Sequence, residues 1–153
     1  MDGEPVFREV QHFRQPWLIG LLAGVVAIEV AVLFVAGWRA LPGIAIGVGA
    51  TALMLATHLA TEVSPAGISL RFYPFHRRGR TIAFEEIAQH YPRRYRPIAE
   101  YGGWGIRGIG RDRAYNVSGD RGVQLELVDG RRILIGSQRP DELDAAIARF
   151  TRG

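Results

Sequence analysis

The chain contains no cysteine and no lysine. The first absence excludes a disulfide framework, a thiolate nucleophile, an iron–sulfur site and any cysteine-based zinc site. The second excludes a P-loop phosphate lysine and a Schiff base. All 19 basic residues are arginine, set against 15 Asp and Glu in 153 residues. Charge is also missing from one whole region: residues 17–60 hold only Glu29 and Arg39 of the 34 charged side chains. A water-soluble domain does not leave so long a stretch bare, so the composition points to a membrane protein with a water-facing part.

Trp17 to Trp38 is an apolar run broken only by Glu29, and Leu41 to Ala60 is a second whose one ionisable group is His58. At ~1.5 Å per residue each makes a helix of roughly 30 Å, the thickness of a hydrocarbon core. The joint, Arg39-Ala40-Leu41-Pro42-Gly43, permits only a tight reversal, with Pro42 in the first turn of the second helix. Trp17 and Trp38 bracket the first span as interfacial anchors. A removable signal peptide fits poorly, because the run is long, starts late and lacks a small-x-small cleavage signature. Arg8 and Arg14 ahead of the spans, with Arg71, Arg77, Arg78 and Arg80 after them, outnumber Arg39 in the turn. Positive-inside logic therefore expects a two-pass protein of the cell (inner or plasma) membrane with both termini in the cytoplasm.

Gly20, Gly24, Ala27 and Ala31 share one face of the first span, and Gly43, Gly47 and Ala50 one face of the second. Such faces let backbones approach, so they are expected to form the contact between the spans or between protomers of a homo-oligomer. Glu29 falls near mid-bilayer, where a bare carboxylate costs several kcal/mol. Thr51 is at similar depth on the second helix and is the expected hydrogen-bond partner. His58 lies about two turns deeper toward the cytoplasm, too far for direct pairing. The sharper alternative is a proton or ion relay through Glu29.

The division expected is a cytoplasmic N-terminal segment (1–16), a two-helix transmembrane hairpin (17–60) and one small domain (61–153). In the last, alternation of period two with turn punctuation predicts about seven short antiparallel strands. Ile68, Leu70 and Phe72 alternate with polar neighbours, Val123, Leu125 and Leu127 do the same, and Asp129-Gly130 is a hairpin turn. Residues 97–103 read as a loop. Pro140 opens a C-terminal helix whose apolar stripe is Leu143, Ala146, Ile147 and Phe150. Such a helix is the natural plug for the open end of a curved sheet.

Several stretches carry a family resemblance: Phe7-Arg8-Glu9-Val10-Gln11, Phe72-Tyr73-Pro74-Phe75-His76-Arg77-Arg78, Arg93-Arg94-Tyr95-Arg96-Pro97, Tyr101-Gly102-Gly103-Trp104-Gly105-Ile106-Arg107, Ala114-Tyr115-Asn116-Val117-Ser118-Gly119 and Gly136-Ser137-Gln138-Arg139-Pro140. With them the chain resembles small bacterial two-span membrane proteins that carry a C-terminal PH-like domain. The resemblance covers nearly the whole chain outside the spans. It implies a membrane α-hairpin plus a mostly-β PH-like fold. That family is itself uncharacterised, so no activity comes with it.

Gly103-Trp104-Gly105-Ile106-Arg107-Gly108 matches G-x-G-x-x-G, but no helix follows it, so a dinucleotide site is not expected. The glycines read as a bend or bulge in a curved strand. Asn116-Val117-Ser118 is a sequon that would be inert in the cytoplasm. The four histidines have no metal-ligand spacing, and no nucleophile elbow appears. No metal, no cofactor and no catalytic residue are expected.

Residues 62–153 hold 16 Arg against 11 Asp and Glu, a net of +5. Arg77, Arg78, Arg80, Arg93, Arg94 and Arg96 form two clusters expected to face anionic lipid headgroups, each gaining about 1 kcal/mol near the surface. Tyr101, Trp104, Arg107 and Tyr115 are the candidate ligand groove. Nucleic acid is disfavoured, since the acids are interspersed and no nucleic-acid motif appears. The expected function is a non-enzymatic, membrane-anchored binding or scaffolding module whose partners are membrane lipids, a second copy or another membrane protein. The alternative is a small subunit of a transport or relay assembly using Glu29. An enzyme built on residues 93–115 ranks last.

Overall fold

A computed structural model describes residues 4–13, 15–75 and 79–151. The chain forms two compact units, one of residues 12–57 and one of residues 1–11 with 58–153. The helical unit contains α1 (Pro16–Ala36), a 3-10 turn (Gly37–Ala40) and α2 (Leu41–Ala56). Gly37 closes α1 at φ 58°, a dihedral open to glycine, and its N–H donates to the Leu33 carbonyl. Proline stands in the first turn of both helices, where no N–H is needed. The helices fold back on each other, because the Glu29 carboxyl lies directly over Gly47. The 41-residue stretch Pro16–Ala56 is long and apolar enough to cross a membrane. Phe34 is 84% and Val35 90% exposed on it, apolar surface that a water-facing domain does not normally present.

Two expectations for this unit are corrected. The second helix stops at Ala56, not Ala60. Thr57 turns extended, and its Oγ1 donates to the Leu53 carbonyl at 2.8 Å. From His58 the pattern becomes strict alternation with Leu59, Thr61 and Val63 buried, a strand signature that average hydropathy cannot separate from a span. His58 is thus a strand residue stacked on Tyr73 at 5.1 Å, not an intramembrane group. The small-residue faces make the contact between the helices only at Gly47 among the glycines expected there. Gly20, Gly24 and Gly43 have open space where a side chain would be, and Gly47 meets Glu29.

The second unit is mostly β. One sheet has the order β1 (Phe7–His12), β2 (His58–Ser64), β3 (Gly67–Tyr73), β4 (Arg80–Ile82). The other contains β5 (Ile87–Arg94), β6 (Gly105–Arg107), β7 (Asp112–Asn116), β8 (Arg121–Leu127) and β9 (Arg132–Gly136), in the order β5-β8-β9-β7-β6. A short helix α3 (Pro97–Tyr101) follows β5, and α4 (Pro140–Thr151) ends the unit. Among the described residues eight strands, β2 to β9, follow the apolar stretch, against about seven expected there, and β1 adds a ninth. The N-terminal segment is not a separate tail: β1 is the edge strand beside β2, and the Val6 N–H donates to the Val63 carbonyl. Its hidden face is Phe7, Glu9 and Gln11, two of them polar, so no hydrophobic alternation announces it. The Glu9 carboxylate accepts from Ser137 Oγ (2.5 Å) and the Gln138 N–H (2.9 Å), and Gln11 Nε2 donates to the Gly136 carbonyl (2.7 Å).

Not every pairing is antiparallel. β7 runs parallel to β9, with Ala114 opposite Leu134 and Tyr115 opposite Ile135. The Asp129-Gly130 hairpin occupies one side of β9 with β8, leaving the other side to a strand that arrives in the same sense. β9 is covered on both faces, since Ile133, Leu134 and Ile135 are all buried. Leu134 packs with Tyr95, Ala114 and the half-buried Tyr101. In α4, Leu143, Ala146 and Ile147 are buried as the stripe predicts, and Phe150 stacks on Phe84 at 4.9 Å. Each fully buried Leu or Ile stabilises the unit by about 1.5–3 kcal/mol.

Candidate functional site

Residues 97–103 are not an open loop. Pro97 starts α3, the Glu100 carboxylate accepts the Arg96 N–H at 2.8 Å, and Gly102 ends the helix in the left-handed region at φ 72°. The signal was present in the sequence: proline at a helix start, an acid three residues on, then glycine. This short helix brings Glu100 and Tyr101 over β5. They wall a cleft of about 730 Å3 together with Tyr91, Arg93, Gln124, Ile109, Asp112 and Arg132.

Every charge lining this cleft is paired. Arg93 Nη2 donates to Glu100 at 2.8 Å and to the Tyr101 hydroxyl at 3.2 Å, and its Nε donates to Gln124 at 3.1 Å. Arg132 makes a two-pronged contact with Asp112 at 2.7 and 2.5 Å. The Tyr91 hydroxyl donates to Glu126 at 3.1 Å. The Arg96 amide, and next the Arg93 guanidinium, hold the Glu100 carboxyl below its ordinary value. The Arg132 hydrogen bond does the same for Asp112. Burial, reinforced by the bond to Glu126, raises the Tyr91 phenol. Two guanidiniums against two carboxylates leave a near-neutral cleft with two phenol rings and an amide. It suits a polar ligand that can stack and exchange hydrogen bonds, not an anion.

Of the predicted groove residues only Tyr101 lines this cleft. Trp104 Nε1 donates to the Gly119 carbonyl, and Arg107 Nε donates to the Trp104 carbonyl, so these two brace the neighbouring turn. Tyr115 is buried, and its hydroxyl accepts from Arg80 at 3.3 Å. Tyr91, Gln124, Asp112 and Arg132 were missed. They come from four separate segments, and only the sheet order joins them. The basic clusters also separate. Arg93 belongs to the neutral cleft, Arg94 pairs with Asp120 at 2.5 Å, and Arg96 is exposed. Arg80 faces a different cleft, and Arg77 and Arg78 lie outside the described residues.

Gly103, Gly105 and Gly108 all have positive φ, and no helix follows them, as expected for a bend and not a dinucleotide turn. At Gly108 a side chain would overlap the Asp112 carbonyl. The sequon residue Asn116 is fully buried and accepts the Gly105 N–H at 2.9 Å, which closes it to modification. Beside it, burial pushes the Tyr95 phenol up to about 12, with Asn116 acting in the opposite sense. Glu29 and Thr51 share no hydrogen bond among the described residues; Gly47 is what the carboxyl meets. Among the described residues no group of three His, Asp or Glu could hold a metal ion.

One arrangement resembles a hydrolytic triad. His90 contacts Asp144 through Nδ1 at 2.6 Å and Thr151 Oγ1 through Nε2 at 3.0 Å. Thr151 Oγ1 also donates to the Ile147 carbonyl at 3.2 Å, so the hydroxyl is shared between the turn of α4 and His90. The trio fastens α4 to β5. Compared with family models, curated proteins and solved structures, the chain matches none.

Proposed function

We propose that the protein is a two-pass membrane protein whose β unit is a PH-like, non-enzymatic binding module on the cytoplasmic side. The observation that carries the anchoring is the neighbouring placement of β1 and β2. These strands flank the apolar stretch, so both of its ends lie at one sheet edge. A segment that leaves and returns to one edge crosses a bilayer an even number of times. With α1 of about 31 Å and α2 of about 24 Å, two crossings fit. The shorter α2 is accommodated by local thinning or by tilt of its partner. A cleavable leader does not fit, because cleavage after the apolar stretch would remove an edge strand that buries Phe7, Glu9 and Gln11.

The binding role is supported by the 730 Å3 cleft and its paired, near-neutral lining. Its ligand is a polar segment of a partner protein, held by stacking on Tyr91 and Tyr101. The PH-like reading rests on the sequence resemblance; the mostly-β unit with its terminal helix is the feature that supports it. A fold of this kind supports binding by analogy only. The test is a photo-crosslinking residue at Ile109, which is 95% exposed at the cleft rim. In cells it should give a discrete adduct that disappears when Tyr101→Ala is added. An adduct pattern identical to that from a probe at Ala145 on α4, or one unaffected by Tyr101→Ala, contradicts the reading. The relay alternative has less support, because Glu29 meets a glycine and His58 sits in a strand.

A further inference from the structure

A second cleft, of about 300 Å3, is lined by Arg80, Arg111, Arg113, Arg131 and Arg132 with Gly110 and Ile133. Its five charged lining residues are all cations. They converge from the start of β4, the turn before β7, β7 itself, and the turn into β9. Three carboxylates stand behind them: Asp112 on Arg132, Asp129 on Arg131 at 2.5 Å, and Glu86 on Arg131 at 3.6 Å. Five guanidiniums against three carboxylates leave the site at +2. Arg80 spends one donor on the Tyr115 hydroxyl. Arg111 and Arg113 are exposed and make no ion pair within 4 Å among the described residues. Collecting like charges is costly unless something anionic answers them. Guanidinium is the side chain that meets phosphate oxygens two at a time.

We propose that this arginine cleft is a binding site for a multiply charged phosphate group. Arg111 and Arg113 supply forks with no carboxylate within 4 Å among the described residues, Arg111 acting on Asp129 only at longer range. Arg80, Arg131 and Arg132 are held in place by Tyr115, Asp129 and Asp112 and need little ordering to bind. The volume admits a phosphorylated headgroup or a short phosphate chain and excludes a polymer duplex. The two clefts share Arg132, which lines both, while its partner Asp112 lines only the neutral one. Occupancy of one therefore bears on a wall of the other. The inference deepens the binding reading by giving it a ligand class, but does not depend on what fills the neutral cleft.

Phosphate chemistry reaches a membrane-anchored domain either from solution or on a lipid, and two arms separate these sources. In the first, inorganic tripolyphosphate is titrated calorimetrically into the full-length protein in discs of neutral phosphatidylcholine. In the second, native mass spectrometry counts phosphatidic acid retained by the detergent-purified protein. Both arms compare wild type with Arg111→Gln/Arg113→Gln and Arg111→Lys/Arg113→Lys. A tenfold or greater loss of tripolyphosphate affinity in the Gln pair, only partly restored by Lys, assigns the site to soluble phosphate. Loss of retained phosphatidic acid in the Gln pair assigns it to a headgroup. If wild type binds neither probe, or the Gln pair binds both as well as wild type, the proposal is overturned. The photo-crosslink at Ile109 reports on the neutral cleft separately, so failure of one reading does not conceal failure of the other.

Discussion

Glu100 is the residue on which the neutral cleft turns. Its carboxylate takes the Arg96 amide at the start of α3 and the Arg93 guanidinium at the cleft wall, and both favour the ionised form. A carboxyl whose folded pKa is lowered stabilises the fold above its unfolded value of about 4.3. That contribution disappears as pH falls through the lower folded value. Thermal melts of wild type and Glu100→Gln should therefore differ at pH 6, with wild type higher, and converge in the most acidic buffers. A gap that stays constant into strong acid would show that the carboxylate contributes nothing through ionisation. Arg93 illustrates the limit of reading charge from a string. In sequence it heads a basic cluster, but in space Glu100, Tyr101 and Gln124 enclose it.

At the scale of elements, β1 is the piece that holds the β unit's two sheets to each other at one corner. Glu9→Ala removes the acceptor for Ser137 Oγ and for the Gln138 N–H, both close to a buried turn. Leaving buried donors unanswered costs about 1–3 kcal/mol, and the melting temperature should fall accordingly, while Glu4→Ala, on an exposed residue ahead of the strand, leaves it unchanged. Chemical denaturation of both variants measures the difference. The alternation of β3, the continuous apolar run of β9 and the stripe of α4 were legible because burial of apolar side chains dictates their pattern. β1 was not, because its inward side chains are chosen for hydrogen bonds to a segment more than 120 residues away. The end of α2 was misplaced for a related reason. His58 to Ala60 is apolar enough to extend a span, and only the alternation that continues to Val63 marks it as strand. Of the two clefts, single residues such as Tyr101 and Arg80 were readable, but the companions from β5, β7, β8 and β9 meet only through the sheet order.

The molecule as a whole is a β unit interrupted by a greasy hairpin. Its first strand precedes the apolar stretch and its other eight follow it. Interruption inside a sheet constrains topology more tightly than arginine counting does. On the proposed two-pass reading, charge bias only orients the spans, whereas adjacent strands on either side of the apolar stretch call for an even number of crossings. The absence of native cysteine makes this directly measurable, since any introduced thiol is the sole one in the chain. The decisive experiment places single cysteines at Glu4, ahead of β1, at Arg39 in the 3-10 turn, and at exposed Ala145 on α4. A membrane-impermeant maleimide is then applied to intact and to permeabilised cells. The account predicts labelling of Arg39→Cys in intact cells, and of Glu4→Cys and Ala145→Cys only after permeabilisation. Labelling of Glu4→Cys and Ala145→Cys from opposite sides, or of all three from the same side, would contradict it.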